Sequence, residues 1–547
     1  MSYYFNEEHE LFRKGLKDFL KKEVLPYVDQ WEEDRRIPKE LWTKFGDMGY
    51  LGLNYPEKYG GVDGDFFYSV VFLEEIAKCY SGGLAVTAAV QQYMSSTYVF
   101  KHGSDFLKEK YLTKAISGEW ICSIAITEPG AGSDVANIQT KAIKDESGDF
   151  YLVNGAKTFI TSAYYGDFMI AVVKTDPEAG AGGVSLLLID RNAEGVSARK
   201  LKKLGWHASD TAELNFDDVK VPAQNLIGQE GMGFYYLMEG LQLERLAGAI
   251  LGVSGSEHAL DYALEYMAQR EAFGRKINRF QVLRHRIAQL ATEIESIRQF
   301  TYYCCRLHND KKYAVKESSM AKLLASELSD KATYQCLQFF GGYGYMEEYK
   351  IARMFRDSRI GTIGGGSSEI MREIIAKMII DDKQYDSSKV LEKKAVNLQN
   401  GAPKNGQVTK IKGKLATQTT NSTSTEVLEK NNNQSTNSNL KTNKNTSVMS
   451  LEAITQGVKT RAENSPAFGN TIRFDFKDGG FLYLDGTGDG GNVVTNEEKD
   501  AECTVSITSE DFSKLLDGDL NPMSAFMTGR LKIKGNMGVA MKLQQLF

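Results

Sequence analysis

Ile126-Thr127-Glu128-Pro129-Gly130-Ala131-Gly132-Ser133-Asp134 places turn residues, two acids and two hydroxyls between two strand-like runs. Its small residues let backbone N–H groups come close to a ligand, and Pro129 fixes one dihedral so that the loop loses less entropy on ordering. Such a segment suits a wall against which a planar ligand lies. In isolation it equally describes a glycine-rich hairpin loop, so its surroundings decide.

On its amino-terminal side, from Phe5 to about Gly118, apolar residues recur at helical spacing, broken at Pro26, Pro38 and the turn from Asn54-Tyr55-Pro56 to Gly60-Gly61. Around the stretch itself, from Trp120 to about Leu226, the period becomes two. Strands are expected near 120–126, 150–153, 168–173, 184–189 and 212–216, as in a small antiparallel barrel or sandwich. After Gly231 the helical period returns over roughly 232–268, 280–308, 313–340 and 367–380, as expected of a four-helix bundle. From about Asp386 to Asn445 aromatics vanish and Asn, Thr, Ser, Lys and Gln dominate, which reads as a tether with too little apolar area to order itself. Apolar order resumes at Val448, with strands expected near 472–476, 481–485 and 503–508. The expected architecture is α+β and multidomain: 1–119 helical, 120–231 an antiparallel β-barrel, 232–385 a helical bundle, 386–447 a flexible linker and 448–547 a small α+β unit.

Composition narrows the function classes. A chain of 547 residues, 42% of them hydrophobic, has material for several cores, and a net charge of −5 gives no footprint for nucleic acid. No run of eighteen apolar residues suggests a membrane span, and the first 22 residues carry acids at helical spacing, unlike a targeting peptide. Six scattered cysteines without CxxC spacing fit a reducing compartment, and six histidines without HxxxH or HxH spacing leave a metal site unsupported. No GxSxG elbow, P-loop or strand-following GxGxxG occurs.

Three constellations remain. In Leu237-Met238-Glu239-Gly240-Leu241-Gln242-Leu243-Glu244-Arg245-Leu246-Ala247-Gly248, Glu244 shares a helix face with Gly240, Leu241 and Gly248, and Gly252 follows one turn on. Each helical glycine costs up to about 1 kcal/mol relative to alanine, so the bare stripe suggests that something fits there: a ligand beside the carboxylate, or a close helix crossing. A carboxylate in an apolar groove has its pKa raised by desolvation and suits a general base. The second is Gly364-Gly365-Gly366-Ser367-Ser368-Glu369-Ile370, a glycine loop opening a helix, which offers free N–H groups to a phosphate or carbonyl oxygen or is simply a loop. The third pairs Arg270-Glu271-Ala272-Phe273-Gly274 with Gln338-Phe339-Phe340-Gly341-Gly342-Tyr343-Gly344, which bring arginine and glycine to helix ends.

In order and spacing, these segments together with Phe159-Ile160-Thr161 resemble the acyl-CoA dehydrogenase family over about residues 5–384. The resemblance implies FAD between barrel and bundle, with Thr127 and Thr161 near the flavin ring and Phe159 stacking where many members have tryptophan. It implies that Arg270, Phe273, Gln338 and Gly342 come from a neighbouring subunit to hold the pyrophosphate and adenosine, that Ser367 and Glu369 contact the flavin, and that Ser133, Leu241 and Arg245 contact the substrate. A homo-oligomer, a dimer of dimers, follows. Most members carry their base in the loop where Gly365 stands here. A subset resembling the long-chain and isovaleryl enzymes places it on the helix of Leu243-Glu244-Arg245, which assigns Glu244 as base and makes the glycine stripe room for an acyl chain. Gly365 keeps its backbone N–H, which in the family polarises the thioester carbonyl. The implied activity is FAD-dependent α,β-desaturation of a long-chain or branched acyl-CoA to the trans-2-enoyl thioester, with electrons passed to an electron-transferring flavoprotein.

The segment from Asn521-Pro522-Met523 to Gly535-Asn536-Met537-Gly538-Val539-Ala540-Met541 resembles the sterol carrier protein domain over about 448–547. That resemblance implies a lipid or fatty acyl ligand, with Met537 and Met541 lining its tunnel or filling the core. A tether of about sixty residues spans roughly 40 Å, close enough for hand-over between units. The ending Gln545-Leu546-Phe547 is not of the peroxisomal type, so a cytoplasmic location is expected. Two other readings stay open from sequence: a lipid-binding protein on a silent dehydrogenase scaffold, and a flavin oxidase or monooxygenase on the same fold.

Overall fold

The computed structural model of the chain describes residues 3–380 and, beyond them, 451–463, 469–488, 491–497, 499–516, 520, 525 and 530–535. The expected linker, Met537 and Met541, and the ending Gln545-Leu546-Phe547 lie outside the described residues.

The chain opens with α1 (Glu7–Glu23), started by a reciprocal cap. The Asn6 side chain accepts from the His9 N–H at 2.9 Å, and the His9 ring accepts the Asn6 N–H at 3.2 Å. The helices α2 (Val28–Asp34), α3 (Lys39–Asp47), α4 (Phe66–Ile76) and α5 (Gly82–Ala89) follow. They pack over a core in which Trp42, Phe45 and Phe72 are fully buried. Pro38 stands at the start of α3 with φ −66, where its missing N–H costs nothing. α5 widens into a π-helical stretch, Val90–Ser95, before α6 (Ser96–His102), a local irregularity that often marks a functional site. Two short helices, α7 (Asp105–Leu107) and α8 (Thr113–Ile116), close the region.

Eight strands come next: β1 (Cys122–Ala125), β2 (Lys141–Lys144), β3 (Phe150–Thr161), β4 (Phe168–Lys174), β5 (Val184–Asp190), β6 (Val196–Lys200), β7 (Thr211–Pro222) and β8 (Leu226–Ile227). They pair in the order β6-β7-β3-β2-β4-β5-β8, with β1 added on β4. Every residue of β4 is buried, as the apolar run Phe168–Val173 requires, with Lys174 buried at its end. The pairing is antiparallel except that β1 and β2 run parallel to β4, which departs from the all-antiparallel expectation. The cause is the connection. β1 runs into Ile126–Asp134 and the chain reaches β4 only after β2 and β3, a crossover rather than a hairpin.

The second helical region holds α9 (Gly233–Gln269), α10 (Gln281–Asn309), α11 (Val315–Phe340), α12 (Lys350–Ser358) and α13 (Ser368–Ile380). Four of these follow the expected periodic segments and α12 is additional. α9 and α11 approach closely at Gly252, where a β-carbon would stand 3.0 Å from the Ala325 carbonyl oxygen. Between α9 and α10 lies the ribbon β9 (Glu271–Ala272) and β10 (Arg275–Lys276).

The last unit is described by itself. A sheet ordered β13-β12-β11-β14-β15 comprises β11 (Thr471–Phe476), β12 (Phe481–Asp485), β13 (Val493–Thr495), β14 (Cys503–Ile507) and β15 (Lys532–Gly535). It packs with α14 (Leu451–Glu463) and α15 (Ser509–Leu516) around Phe474 and Phe512, whose rings lie 5.0 Å apart.

Candidate active site

The Ile126–Asp134 loop is fixed from beneath and open above. Lys157, a lysine at an inward position of β3, donates to the Ile126 carbonyl at 3.1 Å and to Glu128 Oε1 at 2.8 Å, with both side chains buried. Glu128 also accepts the Gln139 and Thr140 N–H groups at 2.5 and 2.9 Å. Burial pushes the Glu128 carboxyl up, but the Lys157 ammonium and these donors outweigh it and hold the group below its ordinary value. The Thr158 N–H donates to the Thr127 carbonyl at 2.8 Å, seating Thr127 on the strand that carries Thr161. A β-carbon at Gly130 or Gly132 would meet nothing within 4 Å, and Ser133 is exposed.

The β3–β7 register shifts between Lys157 and Ile160, and Phe159 at that bulge has φ +61 with its ring 69% exposed. A bulky residue forced into the left-handed region and turned outward marks a site whose geometry matters more than local stability.

Glu244 lies on α9 and is 7% exposed. Its Oε1 accepts from the Tyr98 hydroxyl of α6 at 3.0 Å. Burial raises its pKa to about 7, with the Tyr98 hydrogen bond and the Arg245 charge opposing that rise. The glycine stripe divides by position. The space at Gly240 is filled, because a β-carbon would stand 2.2 Å from the Tyr98 hydroxyl oxygen; the space at Gly248 is open; and Gly252 serves the crossing with α11. Of these three positions only Gly248 leaves open space, less than the sequence suggested. Leu241 is half-buried one turn from Glu244.

Arg245 is buried without a carboxylate hydrogen-bond partner among the described residues; Nη1 donates to Ser319 Oγ at 3.4 Å and Nε is unpartnered. Lys322, one turn beyond Ser319 on α11, donates to the Gly366 carbonyl. That bond ties the glycine loop to the helix that meets α9 at Arg245. Gly365 has φ +64 with no atom within 4 Å of a β-carbon position, and Ser367 Oγ accepts the Ile370 N–H at 3.3 Å to start α13. Glu369 is exposed in the first turn.

Arg270, Phe273, Gln338 and Gly342 gather at the other end of α9 and α11. Arg270, Gln338 and Gly342 share a concave site with Tyr266, Phe340 and Tyr343, while Phe273 lies outside its lining, and the Arg270 guanidinium lies 5.5 Å from the centre of the Tyr343 ring. Phe273 tips the two-residue β9–β10 hairpin at φ +51, next to Gly274 at φ +73, and is 93% exposed. Arg270 follows Glu244 by 26 positions, about 39 Å of helix. One chain thus keeps these four residues apart from the carboxylate.

Three acyl-CoA dehydrogenase domains match the chain in sequence: the N-terminal over residues 6–119, the middle over 123–219 and the C-terminal over 231–380. The long-chain specific acyl-CoA dehydrogenase, mitochondrial, of Sus scrofa is 41% identical over 382 residues, covering 69% of this chain and 88% of that protein. The chain belongs to the acyl-CoA dehydrogenase family. The short/branched chain specific enzyme of Bos taurus is 36% identical, with coverage of 69% and 86%. The crystal structure of an acyl-CoA dehydrogenase from Geobacillus kaustophilus superposes with TM-score 0.68 at 44% identity, covering 69% of this chain and all of that one. Residues 451–547 match the SCP-2 sterol transfer family, so this acyl-CoA dehydrogenase carries a lipid-carrier domain.

Members of the family are FAD-dependent flavoproteins, and the acyl-CoA dehydrogenase described here is an oxidoreductase of that kind. Its residues fit the dinucleotide. Phe159 and Phe273 are large rings held outward by strained backbone, Gly341 and Gly342 have no atom within 4 Å of their β-carbon positions, and Arg270 supplies a cation beside them. Sequence reasoning missed Tyr98, Lys157 and Lys322. Lys157 left a trace, a lysine in the buried phase of an alternating strand; the other two meet their partners only through the fold.

Proposed function

We propose that this acyl-CoA dehydrogenase acts on long-chain or branched acyl-CoA with Glu244 as the base that takes the α-proton. The buried Glu244 carboxylate, held through one oxygen by the Tyr98 hydroxyl at 3.0 Å, carries the reading, and burial raises its pKa toward the working pH, where a base combines a useful charged fraction with proton affinity. Gly248, one turn beyond Glu244 on the same helix face, leaves open space, which suits a narrow acyl chain laid along α9. The Gly365 N–H, held by the Lys322 anchor at Gly366, donates to the thioester carbonyl, a preorganised contact worth about 3–4 kcal/mol in the transition state. Bound FAD supplies the hydride acceptor for the β-hydrogen. Thr127, Thr161, Phe159, Ser367 and Glu369 line its ring, and Ser133, Leu241 and Arg245 orient the substrate. Arg270, Phe273, Gln338 and Gly342 reach the dinucleotide of a neighbouring subunit, a reading supported by the length of α9 between them and Glu244, and the assembly is a dimer of dimers. The functional units run 1–119, 120–231, 232–385 and 448–547, joined by 386–447, and the last binds a lipid or fatty acyl ligand that it passes to the dehydrogenase. An electron-transferring flavoprotein accepts the electrons, as the name of the Acetobacterium woodii relative, a caffeyl-CoA reductase-Etf complex subunit, suggests for this family. Six buried free cysteines agree with a cytoplasmic location. Among the described residues no helix is long and apolar enough to cross a membrane.

The test is anaerobic bleaching of the yellow holoenzyme by a series of acyl-CoA thioesters. Bleaching that is fastest with long or branched chains supports the substrate class, and a preference for four carbons or fewer contradicts it.

A further inference from the structure

Between Tyr98 and Glu244 lies a lock that the reaction alone does not require. The phenol comes from α6, just past the π-helical stretch Val90–Ser95, and reaches across to α9, where its hydroxyl donates to Glu244 Oε1 at 3.0 Å. Tyr98 is 1% exposed. It has room only because position 240, one turn before Glu244, lacks a side chain: a β-carbon there would stand 2.2 Å from the hydroxyl oxygen and 2.4 Å from Cζ. Among the described residues Glu244 Oε2 carries no hydrogen bond, so Tyr98 engages one carboxylate oxygen and leaves the other.

We propose that Tyr98 is a positioning residue for the base, holding the Glu244 carboxylate so that Oε2 meets the substrate and setting the pH above which the base works. The proposal rests on Glu244 being the base. A donor to a carboxylate favours its charged form, and here it opposes the burial that raises Glu244. Burial drives the phenol's own pKa well above its ordinary value, and Glu244 adds to that, so Tyr98 stays a donor throughout the working range. The other charged or titratable groups around the pair are Arg245 and Glu239 on α9, Lys101 and His102 of α6 bound to Glu239, Tyr313 before α11, and Lys322 on α11 near Arg245.

Tyr98→Phe removes the donor and keeps the ring that fills the Gly240 gap. In the flavin-loaded enzyme it is expected to move the acidic limb of the kcat/KM profile upward by about one pH unit, a loss of about tenfold at pH 6 that narrows above pH 9 to the smaller, constant loss left by a carboxylate no longer held in place. KM at high pH and flavin content stay as in the parent. The protonated-carboxyl infrared band that Glu244→Gln removes should titrate later by the same interval, a readout independent of turnover. A uniform loss at every pH with the infrared titration unmoved, or a profile superimposable on the parent's, overturns the proposal. Glu244→Gln in the same series separates the two assignments: full turnover in that variant refutes the base itself, whereas an inactive Glu244→Gln beside an unshifted Tyr98→Phe refutes only the role of the tyrosine.

Discussion

Glu244 is kept in a place that costs the fold stability whenever the carboxylate is charged. Its folded pKa, about 7, lies above the ordinary 4.5. The native state therefore holds a proton that the unfolded chain has lost between those values, and this group's contribution to stability falls as pH rises through that window and stays lost above it. Glu244→Gln is accordingly expected to be more stable than the parent at pH 8 by about 2 kcal/mol, the difference shrinking toward pH 5, in urea titrations at both pH values. Gly240→Ala should act oppositely, driving a methyl group into the Tyr98 phenol and lowering stability by about 1–3 kcal/mol, visible as a depressed Tm. Glu244 was legible in sequence because the helical period sets Gly240 and Gly248 on its face. Tyr98 was not, since 146 positions separate it from its partner and no local pattern reports a contact of that range. The same gap explains why Gly240 read as space for a ligand when a side chain fills it.

At the scale of elements, the loop that opens the sequence reading owes its shape to a strand it does not belong to. Lys157 in β3 neutralises Glu128 beneath the loop, and removing one partner of a buried pair leaves the other charge unpaired. Lys157→Met is expected to cost about 3–5 kcal/mol and to release flavin on gel filtration, while a variant that unfolds and retains FAD like the parent would show that the clamp is dispensable. Because Glu128 is held below its ordinary value, its stabilisation is present above the unfolded pKa and disappears as acid protonates it. The long helices α9, α10 and α11 were readable from period alone, and β4 and β5 from the change of period after Trp120. β2 and β6 were not: Lys141–Lys144 and Val196–Lys200 are short, with mostly exposed or half-buried residues, and owe their place to pairing with β3 and β7. The parallel placement of β1 on β4 likewise depends on chain path, which alternation does not encode.

For the whole molecule, the order helices, strands, helices, then a further α+β unit followed from changes of period and composition, and the matched families share that order. What period does not tell is which copy of the chain completes a site. The distance along α9 from Glu244 to Arg270 bears on this and yields a complementation test. Glu244→Gln and Arg270→Glu chains, each inactive alone, should regain activity when co-expressed, because a mixed dimer then holds one site with both groups intact; activity no greater than the sum of the parts would place Arg270 and Glu244 in one site of one chain. Cutting the 386–447 segment at an inserted protease site should slow turnover of poorly soluble long acyl-CoA and spare short, soluble thioesters, and equal rates before and after cutting would remove hand-over between the units. The account depends most on the carboxylate of α9, and the most direct measurement of it is anaerobic stopped-flow reduction of bound flavin by acyl-CoA in Glu244→Gln. The expected result is unchanged flavin content and an unchanged spectral response to ligand binding, with bleaching slowed by a factor of about a thousand or more. Bleaching at a rate near the parent's would contradict it.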